Sequence, residues 1–300
     1  MTHIEAWFKA FRLRTLPLSF SSVILGSLLA LWQNSFQLEI LIGALITTLF
    51  LQILSNLAND YGDFQNGVDN KERIGPARSL QSGEIKANQM KIAIFIIAIL
   101  AFISGLWLLW QAAETVGVVK ILTFLGIGIL AIAAALKYTI GKKPYGYQGF
   151  GDLAVFLFFG ITGVGGTFYL HANNITWSEI LPAVSIGLLA TGVLNVNNMR
   201  DIENDRNSGK RSLVVMMGIK RAKIYHCILI LGAIGAAIVF TVLNFESYYQ
   251  LLYLITLPML FQHIAVVLKN EHPSELDGEL KKLALGTLIF ALTFGIGLNY

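Results

Sequence analysis

One cysteine, Cys227, is all the thiol chemistry this chain of 300 residues holds. That excludes an intrachain disulfide and a cysteine-rich metal site. Cys227 stands in an apolar run and reads as an inert interior residue. Charge is scarce too. Asp, Glu, Lys and Arg make up 13% of the residues, against roughly 25% in soluble globular chains. A soluble fold of this length needs more polar surface than these residues can supply. Apolar residues take the place of the missing charge: 55% of the chain is hydrophobic and the mean hydropathy is +0.64. Length alone would suit one large or two small soluble domains, but the composition places the chain in a membrane. The net charge of +4 would suit a nucleic-acid partner. The placement of the basic residues points elsewhere, and no nucleic acid is expected.

A helix needs roughly 20 apolar residues to cross the hydrocarbon layer. Nine segments qualify: 16–33, 38–58, 91–111, 116–136, 152–170, 178–197, 222–243, 248–268 and 283–300. The runs are too long, and alternate too little, for a membrane barrel. The expected fold is therefore an all-α bundle of about nine transmembrane helices, read as one domain over 1–300. Residues 1–15 hold Lys9, Arg12 and Arg14 ahead of the first run, which lacks a small-residue cleavage pattern. That run is expected to remain as a crossing. Cytoplasmic loops carry the excess of Lys and Arg. With nine crossings, the N-terminal tail and every second gap fall on one side, and they hold every basic residue except Lys120. A wrong span count would scramble this partition. The N-terminus is thereby cytoplasmic and the C-terminus lies on the far side. The two longest polar stretches, 59–90 and 198–221, share the cytoplasmic side with 137–151.

Two acidic motifs leave the membrane there. The second crossing ends in Ser55-Asn56-Leu57-Ala58-Asn59-Asp60-Tyr61-Gly62-Asp63, and the sixth in Asn197-Asn198-Met199-Arg200-Asp201-Ile202-Glu203-Asn204-Asp205. At about 100° per residue, Asn56, Asp60 and Asp63 share one helix face, and so do Asn197, Asp201 and Asp205. Both N-x-x-x-D pairs are offset by 141 residues. Arg78-Ser79-Leu80 and Arg211-Ser212-Leu213 then repeat a basic tripeptide after each cluster, which suggests a duplicated device. A single acid at a helix end is usually a solvated cap. Two matched clusters on one membrane face repel unless a cation sits between them. Mg²⁺ suits that place: it is hard, and it typically takes one or two carboxylates plus substrate phosphates. Neighbouring Lys and Arg can then hold the remaining phosphate oxygens. The third polar loop, Lys137 to Asp152, contains Tyr138, Lys142, Lys143, Tyr145 and Tyr147 among glycines. It suits a flexible wall around an aromatic or phosphate ligand, or else an interfacial aromatic belt with ordinary positive-inside lysines.

Together these segments resemble the UbiA superfamily of membrane prenyltransferases, and within it the 1,4-dihydroxy-2-naphthoate polyprenyltransferase (MenA-type) branch. The likeness is carried by Arg14-Thr15-Leu16-Pro17, by 53–63, by 73–78, and by Tyr138 with Lys142 as a Y-x-x-x-K element. Pro144-Tyr145-Gly146, Gly151-Asp152, 194–205 and Gly209-Lys210 complete it. It runs from about residue 5 to residue 290. The wider superfamily often has a third aspartate four residues after the second. Here that place is Gly67 and the next aspartate is Asp69, a spacing like that of the naphthoate branch.

The resemblance implies a central cavity with Mg²⁺ and diphosphate at its cytoplasmic end. Asp60 and Asp63, with Asn56 or Asn59, would hold one Mg²⁺. Asp201 and Asp205, with Asn197, would hold the other. Lys142, Arg78, Lys210 and Arg211 are its candidates for the diphosphate oxygens, with Lys142 and Lys210 foremost. Tyr138 or Tyr145 would shelter an allylic carbocation by cation–π contact. The implied substrates are a polyprenyl diphosphate and 1,4-dihydroxy-2-naphthoate. The acceptor carboxyl would leave as CO₂ and the product would be demethylmenaquinone. The implied location is the bacterial inner membrane. Other acceptors, such as 4-hydroxybenzoate, keep the same motifs. A secondary transporter would instead place its polar site near the bilayer midplane on broken helices. A CDP-alcohol phosphotransferase would surround Ala77-Arg78 with further aspartates, which are missing.

Overall fold

Hydrocarbon offers no partner to a backbone N–H or C=O, so each long apolar run must satisfy its own groups as a helix. The computed structural model of the chain, which describes residues 3–69 and 78–300, has that form. Among the described residues there is no strand, and nine helical segments are long and apolar enough to cross a membrane. A short helix, α1 (His3–Phe11), precedes the first crossing, α2 (Leu16–Trp32). Next come α3 (Leu38–Gln65), α4 (Ala87–Val116), α5 (Val118–Lys137), α6 (Gly151–Ala172) and α7 (Trp177–Arg200). Two short helices, α8 (Ile202–Asn207) and α9 (Leu213–Met217), lead to α10 (Ile219–Leu243), α11 (Tyr248–Lys269) and α12 (Pro273–Leu298).

All nine expected segments lie within these helices, give or take two residues, but several helices run further. α3 continues to Gln65, and α12 begins at Pro273 rather than 283. Hydropathy marks only the membrane-embedded part. Once a helix reaches water it can carry the exposed Asp277, Lys281 and Lys282 without penalty.

The first and last crossings are neighbours, which closes the bundle. A Cβ on Gly295 of α12 would lie 2.4 Å from Leu28 Cδ1 of α2. Asn299 Nδ2 also donates to the Leu28 carbonyl at 3.1 Å. Aromatic residues fill the centre of this half: Tyr253, Phe290 and Phe294 pack ring on ring, with Tyr253 and Phe294 centroids 4.9 Å apart. Toward one end, a buried polar chain joins three helices. His226 of α10 meets His263 of α11 at 2.9 Å, and His263 meets Glu279 of α12 at 2.7 Å.

α6 is not a regular helix. Its turns widen to π geometry over Phe156–Gly166, a stretch with glycine at 160, 163, 165 and 166. The glycines let backbones touch, as small residues do in membrane bundles. A Cβ at Gly160 would come within 2.5 Å of the Ala183 carbonyl oxygen and 2.8 Å of Gly187 Cα, both on α7. Gly160→Val is therefore expected to lower stability by about 1–3 kcal/mol through overpacking. Gly235→Ala in α10, where an added Cβ meets nothing within 4 Å, is expected to be neutral. Thermal unfolding in detergent compares the two. Equal melting temperatures would mean that this helix crossing tolerates a side chain.

Candidate active site

The acidic motifs come together at the end of the bundle where α3 and α7 stop. Asp60 and Asp63 sit three residues apart on the last turns of α3, and both are buried. Asn56 lies one turn earlier on the same face. The chain before α2 is folded onto this face. Arg12 takes a left-handed conformation, φ 49° and ψ 51°, uncommon for a residue with a side chain. Its guanidinium donates to Asp60. Asn56 Nδ2 holds the same elbow, donating to the Phe11 carbonyl at 2.9 Å and to Thr15 Oγ1 at 3.2 Å. Asn56 Oδ1 accepts from Gln52 Nε2 at 3.3 Å.

Arg78 is the main counter-charge of this half. Its guanidinium donates to Asp60, lies 3.3 Å from Asp63 Oδ2, and places Nε 3.3 Å from Asp69 Oδ1. Asp69, whose spacing departs from the wider superfamily, is thus an ion-pair partner of Arg78. The rest of the 73–78 segment lies outside the described residues. Tyr147 adds a short hydrogen bond, its hydroxyl donating to Asp63 Oδ1 at 2.6 Å. Burial first, and then the Asp63 charge, push the Tyr147 hydroxyl up, so it keeps its proton and remains a donor.

The second motif is interrupted. α7 ends at Arg200, Asp201 has non-helical angles (φ −97°, ψ 11°), and α8 starts at Ile202. The Asp205 N–H still reaches the Asp201 carbonyl at 2.8 Å. Asp205 therefore keeps roughly helical register across the break, although no continuous helix carries the pair. Arg200 forks onto Asp201, with Nε to Oδ1 at 2.9 Å and Nη2 to Oδ2 at 2.7 Å. Lys210 Nζ lies 3.2 Å from Asp205 Oδ1 and 5.7 Å from the centre of the Tyr147 ring. Burial pulls the Lys210 ammonium down, but Asp205, Asp63, Tyr138 and Asp201 outweigh it and hold the group charged. Asn204 Nδ2 donates to the Val68 carbonyl at 3.0 Å, which ties the two motifs together.

The loop between α5 and α6 forms the third wall. Thr139 presses on α3 where Gly62 leaves room: an added Cβ there would be 2.5 Å from Thr139 Oγ1. Thr139 Oγ1 donates to the Ala58 carbonyl at 2.9 Å and approaches Asn59 Oδ1 at 3.3 Å. The Tyr138 and Tyr145 rings pack edge to face at 5.4 Å. Tyr145 spends its hydroxyl on the Ala134 carbonyl at 3.0 Å, leaving the ring for the cavity. Burial pushes the hydroxyl of Tyr145 up to about 12 and raises that of Tyr138 as well.

A cavity of about 400 Å³ opens from this end into the bundle. Asn56, Asn59, Asp63, Arg78, Asn197, Asp201, Asp205, Lys210, Tyr138 and Tyr145 line it. Deeper walls are apolar: Phe102, Leu106, Phe124, Phe158, Phe159 and Leu170. Asp60 stands behind Arg12 and Arg78 rather than at the wall. Lys142 and Arg211 are exposed and outside the lining. Arg211 meets the site through its backbone, its N–H donating to the Tyr147 carbonyl at 3.1 Å.

Do these residues fit Mg²⁺? The donors are hard oxygens. Among the described residues, Asp205 Oδ2 and Asn204 Oδ1 are buried without a hydrogen-bond partner. Burial pushes the Asp205 carboxyl up to about 6 despite Lys210, and the Asp201 and Asp63 charges add to that. A buried carboxylate lacking a full set of partners calls for a cation. Among the described residues no three acidic, histidine or cysteine side chains form a ready-made cage. That agrees with Mg²⁺, which leaves coordination places to phosphate and water. The site fits.

Arg12, Arg200 and Tyr147 escaped the reading of the sequence as site residues. Arg12 and Arg200 were legible only as positive-inside charge, and Tyr147 only as a loop aromatic.

Comparison with known proteins follows the same lines. The model of the UbiA prenyltransferase family matches residues 19–284. Over 297 residues the chain is 42% identical to the 1,4-dihydroxy-2-naphthoate octaprenyltransferase of Haemophilus influenzae, covering 98% of this chain and 96% of that one. Identity to the Escherichia coli enzyme of the same description is 41% over 298 residues, 99% and 96% of the two chains. In fold it is similar to a UbiA homologue from Aeropyrum pernix, with TM-score 0.65 and 16% identity over 99% of this chain and 98% of that one. A UbiA homologue from Archaeoglobus fulgidus bound to GPP and Mg²⁺ gives TM-score 0.61 and 15% identity over 96% and 98%. The family match runs through both acidic motifs and the loop between them, and the chain belongs to the UbiA prenyltransferase family.

Proposed function

We propose that this chain transfers a polyprenyl group from its diphosphate to 1,4-dihydroxy-2-naphthoate, releasing diphosphate and CO₂ in the branch of metabolism that makes menaquinone. The observation that carries this reading is one cavity with two acidic motifs and three cations, Arg12, Arg78 and Lys210, at its mouth and apolar walls below. A diphosphate suits the mouth and an isoprenoid tail suits the walls. Near full-length identity to naphthoate octaprenyltransferases supports the acceptor.

Mg²⁺ held by Asp63, Asp201 and Asp205, with Asn59 or Asn197, would neutralise charge developing on the departing diphosphate. Asp60 supports this set from behind, through Arg78. Lys210 and Arg78, which line the same cavity, would hold the remaining diphosphate oxygens. As the C–O bond breaks, its electron pair leaves with the diphosphate and the allylic fragment becomes a cation. The faces of Tyr138 and Tyr145 stabilise that charge, and the apolar walls keep water from it. The acceptor ring carbon bearing the carboxylate attacks. The C–C bond to the carboxylate breaks, its electrons restore the ring, and CO₂ departs. The acidic end faces the cytoplasm of a bacterial inner membrane, in keeping with the one-sided placement of Lys and Arg.

The test is purified protein in detergent with Mg²⁺, a polyprenyl diphosphate and either 1,4-dihydroxy-2-naphthoate or 4-hydroxybenzoate, read as product mass. Product from the naphthoate alone, abolished by EDTA, is expected. Product from the benzoate alone would overturn the acceptor assignment and keep the chemistry. Product from neither, with folded protein, would overturn the reading.

A further inference from the structure

Arg200 makes four short hydrogen bonds, yet it does not face the cavity. Its side chain is buried and absent from the cavity wall, while its neighbour Asp201 lines that wall. Two of the four bonds form the fork on Asp201. A third runs from Nη2 to Asn197 Oδ1 at 2.9 Å, and a fourth from Nη1 to Asp277 Oδ1 at 2.5 Å. One guanidinium thus orients two oxygen-bearing side chains of the second motif and is tethered to a third group on a different crossing. Asp277 opens the α-helical part of α12 and is about half exposed, at 49% for its side chain.

We infer that Arg200, anchored by Asp277, is the positioning residue of the second acidic motif, and that the last crossing thereby helps set the motif's affinity for a divalent cation. This rests on the metal reading proposed above.

Geometry and charge act in the same direction. A planar fork fixes the carboxylate plane, which a lysine ammonium cannot do. Each Asp201 oxygen keeps a lone pair for the cavity side. A lone cation behind Asp201 would weaken its pull on a metal. Asp277 shares that cation, so the Arg200–Asp201–Asp277 group keeps a net negative charge. Neutralising Asp277 leaves the whole guanidinium charge on Asp201 and frees the fork to turn. The plain alternative is that Asp277 only stabilises its helix N-terminus, where a carboxylate is favourable in any case.

Mn²⁺ binding by the full chain in detergent, with inorganic diphosphate present and no prenyl donor, separates the two without turnover. Free Mn²⁺ is read by electron paramagnetic resonance. Losing a partner that orients a metal ligand typically costs 10–100-fold in affinity. Asp277→Asn is expected near the lower end, about tenfold, with kcat unchanged once Mg²⁺ saturates. Asp277→Glu, which keeps the charge within reach, is expected to stay within about twofold of wild type. In an Arg200→Gln background, Asp277→Asn should have no further effect, because its transmitter is gone. Wild-type Mn²⁺ affinity in Asp277→Asn, with or without a lower melting temperature, would overturn the inference and leave the proposed function standing. So would equal losses in Asp277→Asn and Asp277→Glu. No Mn²⁺ binding by the wild type would overturn the metal reading and this inference with it.

Discussion

Asp205→Asn is expected to lower the rate of prenyl transfer by about 10²–10³-fold, the range for losing one group that stabilises charge in a transition state. Asp205 lines the cavity, and among the described residues its Oδ2 is buried without a partner. An asparagine in its place fills the same space without the charge. The pH dependence gives a second reading of the same residue. Burial pushes the Asp205 carboxyl up to about 6, so a proton competes with the cation on the acidic side. Below about pH 6, apparent Mg²⁺ affinity should fall by up to about tenfold per unit. At limiting Mg²⁺ the wild-type rate profile should therefore bend near pH 6, and the variant should lose that bend.

The stability of the metal-free protein moves the other way. The folded pKa lies above the ordinary 3.8, so this group's contribution is full below about pH 4 and is lost as pH rises through about 6. Rates at two Mg²⁺ concentrations, with melting curves beside them, check both halves. A wild-type rate and an unchanged acid limb in Asp205→Asn would remove Asp205 from the metal site.

Much of the fold was legible because a membrane constrains sequence so strongly. The nine apolar runs supplied the span count, the one-sided placement of Lys and Arg agreed with it and marked the polar end, and Lys120 is instructive as the exception. It lies on the opposite side, donating to Asn173 at 2.8 Å near the Tyr169 ring. The N-x-x-x-D spacing was legible too, since a helix places positions four apart on one face. What stayed hidden depends on turns and on which neighbour a charge meets. Arg78-Ser79-Leu80 and Arg211-Ser212-Leu213 look like copies, yet Arg78 is buried against three carboxylates and Arg211 is exposed. After α8 the chain turns at Gly209, φ 76°, and that turn sends Lys210 inward and Arg211 outward. Lys142 was equally ambiguous, because a lysine beside an interface looks the same in sequence whether it points to a phosphate or to water. The π stretch of α6 left no mark in the hydropathy. Its glycines matter only where a particular neighbour backbone approaches.

The cations divide sharply enough to be tested side by side. Lys210→Met is expected to lower kcat/KM by about 10²–10³-fold, whereas Lys142→Met and Arg211→Met should each change it by less than about threefold. Lys210 is 9% exposed and lines the cavity, with its ammonium 3.2 Å from Asp205 and near Tyr147. In that low-dielectric setting a charge facing a diphosphate is worth far more than one in water. Lys142 and Arg211 stand in solvent, where salt screens them. Lys210→Arg separates charge from shape. If only a positive charge is needed, the arginine should recover most of the activity. If the compact ammonium must fit between Asp205 and the Tyr147 ring, the larger planar group should recover little. Added salt should then weaken binding of the diphosphate only slightly in the wild type, because a buried contact is poorly screened. A large loss in Lys142→Met would mean that the loop between α5 and α6 closes over the diphosphate when it binds, bringing in a lysine that otherwise faces solvent. A wild-type rate in Lys210→Met would leave Arg78 as the cation that meets the leaving group.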